Sequence, residues 1–205
     1  MRYKSRANVP APGRYGVLWS CLLLIFASSS FAQEPQRTST EKAVEREASS
    51  WKEFSSRTGG FAITFPGAPK AETQTLGGQF VLNIFRLHTF AEYSVMYADY
   101  PDSVNDGDPK LAKQVLDDGL AGAVAEVNSK LLEVEEVSIE THPGRQYKER
   151  MRDGSILRGQ TFLVGHRLYQ IAITTPKEED EGAKEIEFYQ TVAKRFLGSF
   201  RLLAR

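Results

Sequence analysis

Residues Val134–Thr175 read VEEVSIETHPGRQYKERMRDGSILRGQTFLVGHRLYQIAITT, and the fold is decided here. Turn signals fall at His142-Pro143-Gly144, Asp153-Gly154 and Gly165-His166. They leave four strand-length runs with connections too short for a crossover, so the runs form an antiparallel meander. As a two-residue turn, Asp153-Gly154 sets Met151 opposite Ile156, Glu149 opposite Arg158 and Tyr147 opposite Gln160. Gly165-His166 sets Phe162 opposite Tyr169 and Gln160 opposite Ile171. On these registers Tyr147, Met151, Ile156, Phe162, Tyr169, Ile171 and Ile173 share one apolar face. Leu157, Leu163, Leu168 and Ala172 share the other with Lys148, Arg150 and Arg152. Glu149 and Arg158 then read as a cross-strand charge pair, a contact worth ~0.2–1 kcal/mol.

Upstream of the meander, Trp51-Lys52-Glu53-Phe54 and Phe61-Ala62-Ile63-Thr64-Phe65 alternate apolar and polar residues as strands do. Lys70 to Leu76 is a further short strand, and Gln79 to Phe90 pairs back with Glu92 to Tyr100 as a hairpin. The hairpin carries apolar residues on both sides, which marks a strand covered on both faces. Pro101 to Asp108 is a loop ending in an N-cap, Asp108, with Pro109 at the first helical position. Leu111, Val115, Leu116, Leu120, Ala123 and Val124 recur at helical spacing, which predicts an amphipathic helix from Pro109 to about Val127. Downstream, Ile186, Phe188, Tyr189, Val192, Phe196 and Leu197 predict a second helix over Glu181 to Leu197, and Phe200 to Leu203 closes the chain on the sheet.

The first 32 residues differ in character. Arg2, Lys4, Arg6 and Arg14 precede the apolar run Val17 to Ala27, and Ser30 and Ala32 have the small-x-small pattern of a signal-peptidase site. An apolar run this short does not span ~30 Å of hydrocarbon, so the segment reads as a secretory signal peptide cleaved after Ala32. Cys21 invites a lipoprotein reading, but bulky Trp19 and the apolar run beyond Cys21 argue against it. Residues 33–50 are polar and read as a flexible linker, which leaves 51–205 as the globular domain. The leader holds four of the 26 Lys+Arg and none of the 26 Asp+Glu, so the remainder is acidic by four charges. That balance gives no sign of a nucleic-acid partner. The lone Cys21 lies in the leader, which excludes disulfides, cysteine-zinc sites and thiol chemistry from the domain.

Candidate chemistry is sparse. His88, His142 and His166 lack a metal-ligand spacing and read as strand or turn residues. Asp99, Asp102, Asp106 and Asp108 crowd one loop, yet Val104 and Lys113 fall where an EF-hand needs oxygen ligands, so only weak calcium binding stays open there. There is no GxSxG. Glu135-Glu136 and Glu178-Glu179 are neighbours that a strand would point to opposite faces. No cofactor is called for. Arg145, Lys148, Arg150 and Arg152 are the candidate surface for an anionic partner.

The order Trp51-x-x-Phe54, Gly60-Phe61-Ala62-Ile63-Thr64-Phe65-Pro66-Gly67-x-Pro69, Tyr97-x-Asp99-Tyr100-Pro101, Pro143-Gly144-Arg145, Phe162-Leu163-Val164-Gly165-x-Arg167-Leu168-Tyr169 and Phe196-Leu197-x-Ser199-Phe200 resembles the small exported bacterial proteins of the PsbP-like group. These are similar to the extrinsic photosystem II protein PsbP and, more distantly, to Ran-binding Mog proteins. The resemblance covers about Trp51 to Leu203. It implies an α+β fold, an α/β/α sandwich around a mostly antiparallel sheet of roughly 6–9 strands with two main helices. The motifs are core and turn residues and transfer no functional residue. The expected function is a non-enzymatic, exported binding or accessory domain (periplasmic or extracellular) that engages a protein or small ligand. The membrane would be met only through an uncleaved leader. The alternatives are an enzyme or metal-dependent activity with a site assembled in three dimensions, and an extrinsic subunit of a membrane complex.

Overall fold

The computed structural model describes residues 50–76 and 80–204. The expected signal peptide and all of the linker but Ser50 lie outside the described residues. Ten strands and two long helices follow in the order β1 (Lys52–Ser56), β2 (Phe61–Phe65), β3 (Lys70–Leu76), β4 (Phe80–His88), β5 (Glu92–Asp99), α1 (Pro109–Glu126), β6 (Lys130–Ile139), β7 (His142–Arg150), β8 (Ile156–Val164), β9 (Arg167–Thr175), α2 (Ala183–Gly198) and β10 (Arg201–Leu202). A 3-10 turn, Glu178–Asp180, joins β9 to α2. The main sheet has seven strands in the order β3-β4-β5-β9-β8-β7-β6, and β1-β2-β10 form a smaller sheet. Every described pairing is antiparallel.

The layers follow from which side of the main sheet each apolar stripe meets. Val115, Leu116, Leu120 and Ala123 of α1 bury against Leu82, Ile84, Met96, Leu157, Leu163 and Leu168. On the opposite side, Val192, Ala193 and Phe196 of α2 join Phe61, Ile63 and Phe65 of the small sheet over Tyr93, Val95, Ile171 and Ile173. Burying both sides explains why β4, β5 and β9 carry apolar residues at odd and even positions alike. The start of α1 is also local. Asp108 Oδ1 accepts from the amides of Lys110 (2.9 Å) and Leu111 (3.1 Å), satisfying two donors that the first turn of α1 leaves unpaired.

The β8–β9 register is the expected one, with Phe162 opposite Tyr169 and Gln160 opposite Ile171. The β7–β8 register differs by one residue. Arg150 stands opposite Ile156, Lys148 opposite Arg158 and Tyr147 opposite Gly159. The reason lies in the turn. The Met151 amide donates to Ser155 O (2.8 Å) and the Gly154 amide to Met151 O (3.0 Å), with Gly154 at φ +88°. This is a three-residue loop whose last residue is left-handed, not the two-residue turn that Asp-Gly suggests. Strand side chains alternate, so one residue of slip exchanges the faces of all of β7. Tyr147 and Met151 therefore pack with the α1 core. Lys148 and Arg150 move to the α2 side, and Glu149 and Arg158 lie on opposite faces and form no pair.

Candidate binding groove

The four cations expected to form one surface are divided by this register. Arg145 faces α1 and is only 5% exposed. Its Nε donates to Asp117 Oδ1 (2.7 Å), its Nη1 donates to Gly144 O (2.8 Å), and Nη2 lies 3.4 Å from Glu136. Lys113 reaches both Asp117 (3.4 Å) and Glu136 (2.5 Å), so the cluster ties α1 to β6 and β7 and offers no open cation. Arg152 sits exposed in the β7–β8 loop.

Lys148 and Arg150 stand on the α2 side, where the acidic connection after β9 meets them. Glu178 lies 3.3 Å from Lys148 and accepts from Arg158 Nη2 at 2.5 Å, while Glu179 lies 3.3 Å from Arg150. Arg158 Nη1 also donates to Thr175 Oγ1 (3.2 Å). Partial burial works against the charged form of Glu178. Arg158 and Lys148 outweigh it and hold the carboxyl below the usual carboxylate range. Glu178 and Glu179, with the cations they hold, thus form a wall at one end of the α2 face.

Beyond that end wall a groove opens. The α2 helix packs mainly on β2, β8 and β9, and a space opens between it and the Glu133–Glu135 part of β6 with the facing part of β7. The space between is about 330 Å³, at the lower end for small-ligand sites. Its floor is a glutamine pair, with Gln160 Nε2 donating to Gln146 Oε1 at 2.8 Å. Glu133 and Glu135 of β6 form one wall, and Gln190, Ala193, Lys194 and Leu197 of α2 form the other. Glu133 stands opposite Lys148 in the ladder, but Lys148 turns to Glu178 instead. Among the described residues, Glu133, Glu135 and Lys194 make no ion pair.

A second concavity lies at the loop end of the sheet, lined by Arg57, Asp106, Glu140, His142, Arg167 and Tyr169. His142 opens β7, and its Nδ1 is hydrogen-bonded to Asp106 Oδ2. His166 Nδ1 is 3.7 Å from Asp102. The Asp99–Asp108 carboxylates therefore diverge. Asp108 caps α1, Asp106 and Asp102 face separate histidines, and Asp99 accepts from Arg167 Nε (2.5 Å) and Nη2 (2.7 Å). No group of three His, Cys, Asp or Glu suited to a metal occurs among the described residues. Arg167 is fully committed. It also donates to Thr58 O and Gly59 O, and its guanidinium stacks 4.6 Å above the Tyr97 ring. The Tyr169 hydroxyl donates to Gly59 O at 2.5 Å.

Neither pairing was legible beforehand. His142 and Asp106 are 36 residues apart, and the Glu178 contacts needed the β7 faces to be known. A third polar feature went unmarked, a set of buried groups under α1. Glu149 is fully buried and accepts from Ser129 Oγ at 2.7 Å. Burial pushes its carboxyl up, with Ser129 opposing. Tyr147 is buried beside it, its hydroxyl accepting from Gln170 Nε2 at 2.7 Å, and burial pushes that phenol up as well.

Cyanobacterial PsbP from Synechocystis sp. PCC 6803 superposes on the chain with a TM-score of 0.50, covering 75% of this chain and 92% of that one at 12% identity. The fold is PsbP-like. At that identity the likeness is one of fold alone, and the PsbP-like scaffold assigns neither the groove nor the cleft. A Pseudomonas aeruginosa protein of unknown function covers 76% of this chain and 97% of its own at 18% identity, with a TM-score of 0.39 that carries no argument. No family model and no curated protein matches. Among the described residues no helix is long and apolar enough to cross a membrane.

Proposed function

We propose that this chain is an exported, non-enzymatic accessory domain that binds a protein or small ligand of the cell envelope in the groove between α2 and β6–β8. The observation that carries the reading is the incomplete cover of the sheet. The α2 helix packs mainly on β2, β8 and β9, and the groove beside it combines a hydrogen-bonding floor with charged walls. Concave sites with a few convergent polar groups are the usual places for ligands. The basic, apolar and small-residue order of residues 1–32 supports export. Gln190 is exposed on the α2 wall, so Gln190→Trp fills the groove without entering the core. A tagged chain should co-purify a component from the envelope that the Q190W chain loses. Recovery of nothing above an untagged control, or equal recovery by both chains, would sink the reading.

An enzyme with a site assembled in three dimensions has one observation in its favour. An imidazole held through Nδ1 by a carboxylate is the arrangement of a general base, and His142–Asp106 lines the loop-end cleft. The hydroxyls there are Thr58 and Tyr169, and that of Tyr169 is spent on Gly59 O. Binding is therefore the better-supported reading. An extrinsic subunit of a membrane complex is the third, and the same co-purification discriminates it by the identity of what is recovered.

A further inference from the structure

The groove presents uncommitted charges of opposite sign on its two walls. Glu133 and Glu135 alternate onto the groove side of β6, opposite Lys148 and Gln146 respectively. Neither has a cation partner among the described residues. Lys194 faces them from α2 and has no carboxylate partner among the described residues. The other two cations at the site, Lys148 and Arg158, are held by Glu178 and form the end wall. Between the walls lie Gln146 and Gln160, with Gln190 on the α2 wall, and their amides offer N–H donors and a carbonyl acceptor that complement those of a peptide unit.

An anion-only ligand would meet the two glutamates, and a cation-only ligand would meet Lys194. A ligand with an ammonium group, an amide middle and a carboxylate matches all three parts at once. Resting on the groove reading above, we infer that the groove takes a short zwitterionic peptide. Its ammonium lies toward Glu133 and Glu135, its amides over Gln146 and Gln160, and its carboxylate toward Lys194. Opposed charge specifies orientation as well as class, because the reversed peptide would set like charges against each other on both walls.

The test is an amide chemical-shift titration of the purified protein with three probes: triglycine, N-acetyl-triglycine (no ammonium) and triglycine amide (no carboxylate). Triglycine should give saturable shifts at Gln146, Lys148, Gln160 and Lys194, with a Kd on the order of 1 mM for so small a ligand. Each blocked probe should bind at least about tenfold more weakly, the loss expected for one charge-assisted contact. Glu133→Gln with Glu135→Gln should abolish the preference for triglycine over the acetylated probe and leave its preference over the amide. Lys194→Gln should do the converse. All three side chains are exposed, so the variants keep the fold. Absence of saturable shifts, or equal binding of the three probes, overturns the inference. If Q190W still loses its co-purifying component, the groove reading survives that result and only the ligand class is wrong.

Discussion

Replacing Glu149 by Gln should stabilise the protein at neutral pH and leave it unchanged in acid. The side chain is fully buried on the α1 face with one hydrogen bond, from Ser129, and its Oε1 has no hydrogen-bond partner among the described residues. Leaving a buried group of this kind unsatisfied costs about 1–3 kcal/mol and more when it is charged, so the charged carboxylate is the costlier form here. Because burial raises the folded-state pKa above the ordinary glutamate value of about 4.3, the native chain binds the proton more tightly than the unfolded chain does. Wild-type stability from this group is thus fully present below the unfolded value and is lost as pH rises through the folded one. The Gln variant has no such loss. Urea unfolding of both chains at pH 4, 5.5 and 7 should show a difference that grows from near zero to about 1–3 kcal/mol. In melting temperature that is about 2–4 °C per kcal/mol for a domain of this size. A difference independent of pH, or a variant less stable than wild type at pH 7, would show that Glu149 is not held against its charge.

Arg145→Ala removes charged hydrogen bonds to Asp117 and the Gly144 carbonyl. It should destabilise by about 1–3 kcal/mol in urea unfolding, the lower end being favoured by the partial exposure of Asp117. Gly159→Ala would set a Cβ 2.5 Å from the Tyr147 ring, so it should cost about 1–3 kcal/mol by overpacking. Gly198→Ala, with nothing within 4 Å, should not destabilise in the same melting assay. Glu178→Gln should weaken the end wall of the groove by up to about 1 kcal/mol at low salt. The contribution it removes is present above the unfolded carboxyl pKa and lost as pH falls through the depressed folded value, so wild type and variant should converge in acid. Hydrogen exchange across Glu178–Asp180 should quicken in that variant, and unchanged protection would mean the ion pairs do not hold the segment.

The parts of the fold that could be read from sequence are those set by neighbours in the chain. Alternation in Phe61 to Phe65, the Asp108-Pro109 start of α1 and the two-residue Gly165-His166 turn each act within a few residues. The faces of β7 depended on something finer. Asp153-Gly154 suits a two-residue hairpin and equally suits the end of a three-residue loop. The Asp153 carboxylate, accepting from the Ser155 amide and hydroxyl, goes with the longer one. Packing agrees with that choice. On the shorter loop Tyr147 would face Gln160, whereas on the longer one its ring lies over Gly159, where a Cβ would collide with it.

The same slip decides where binding chemistry can lie. With the expected faces, Lys148, Arg150 and Arg152 would crowd the side that α1 covers, and the groove beside α2 would be lined by Tyr147 and Met151. With the observed faces, Arg145 is drawn into an internal network, and Lys148 and Arg150 reach Glu178 and Glu179. Every cation that looked available in the sequence except Arg152 then has a carboxylate of its own. The uncommitted charges are instead Glu133, Glu135 and Lys194, none of which stands out in composition or motif. An ordinary charged residue becomes a candidate ligand contact only when the fold sets it across a groove from its opposite and leaves both unpaired, and that condition depends on long-range geometry that no local pattern encodes.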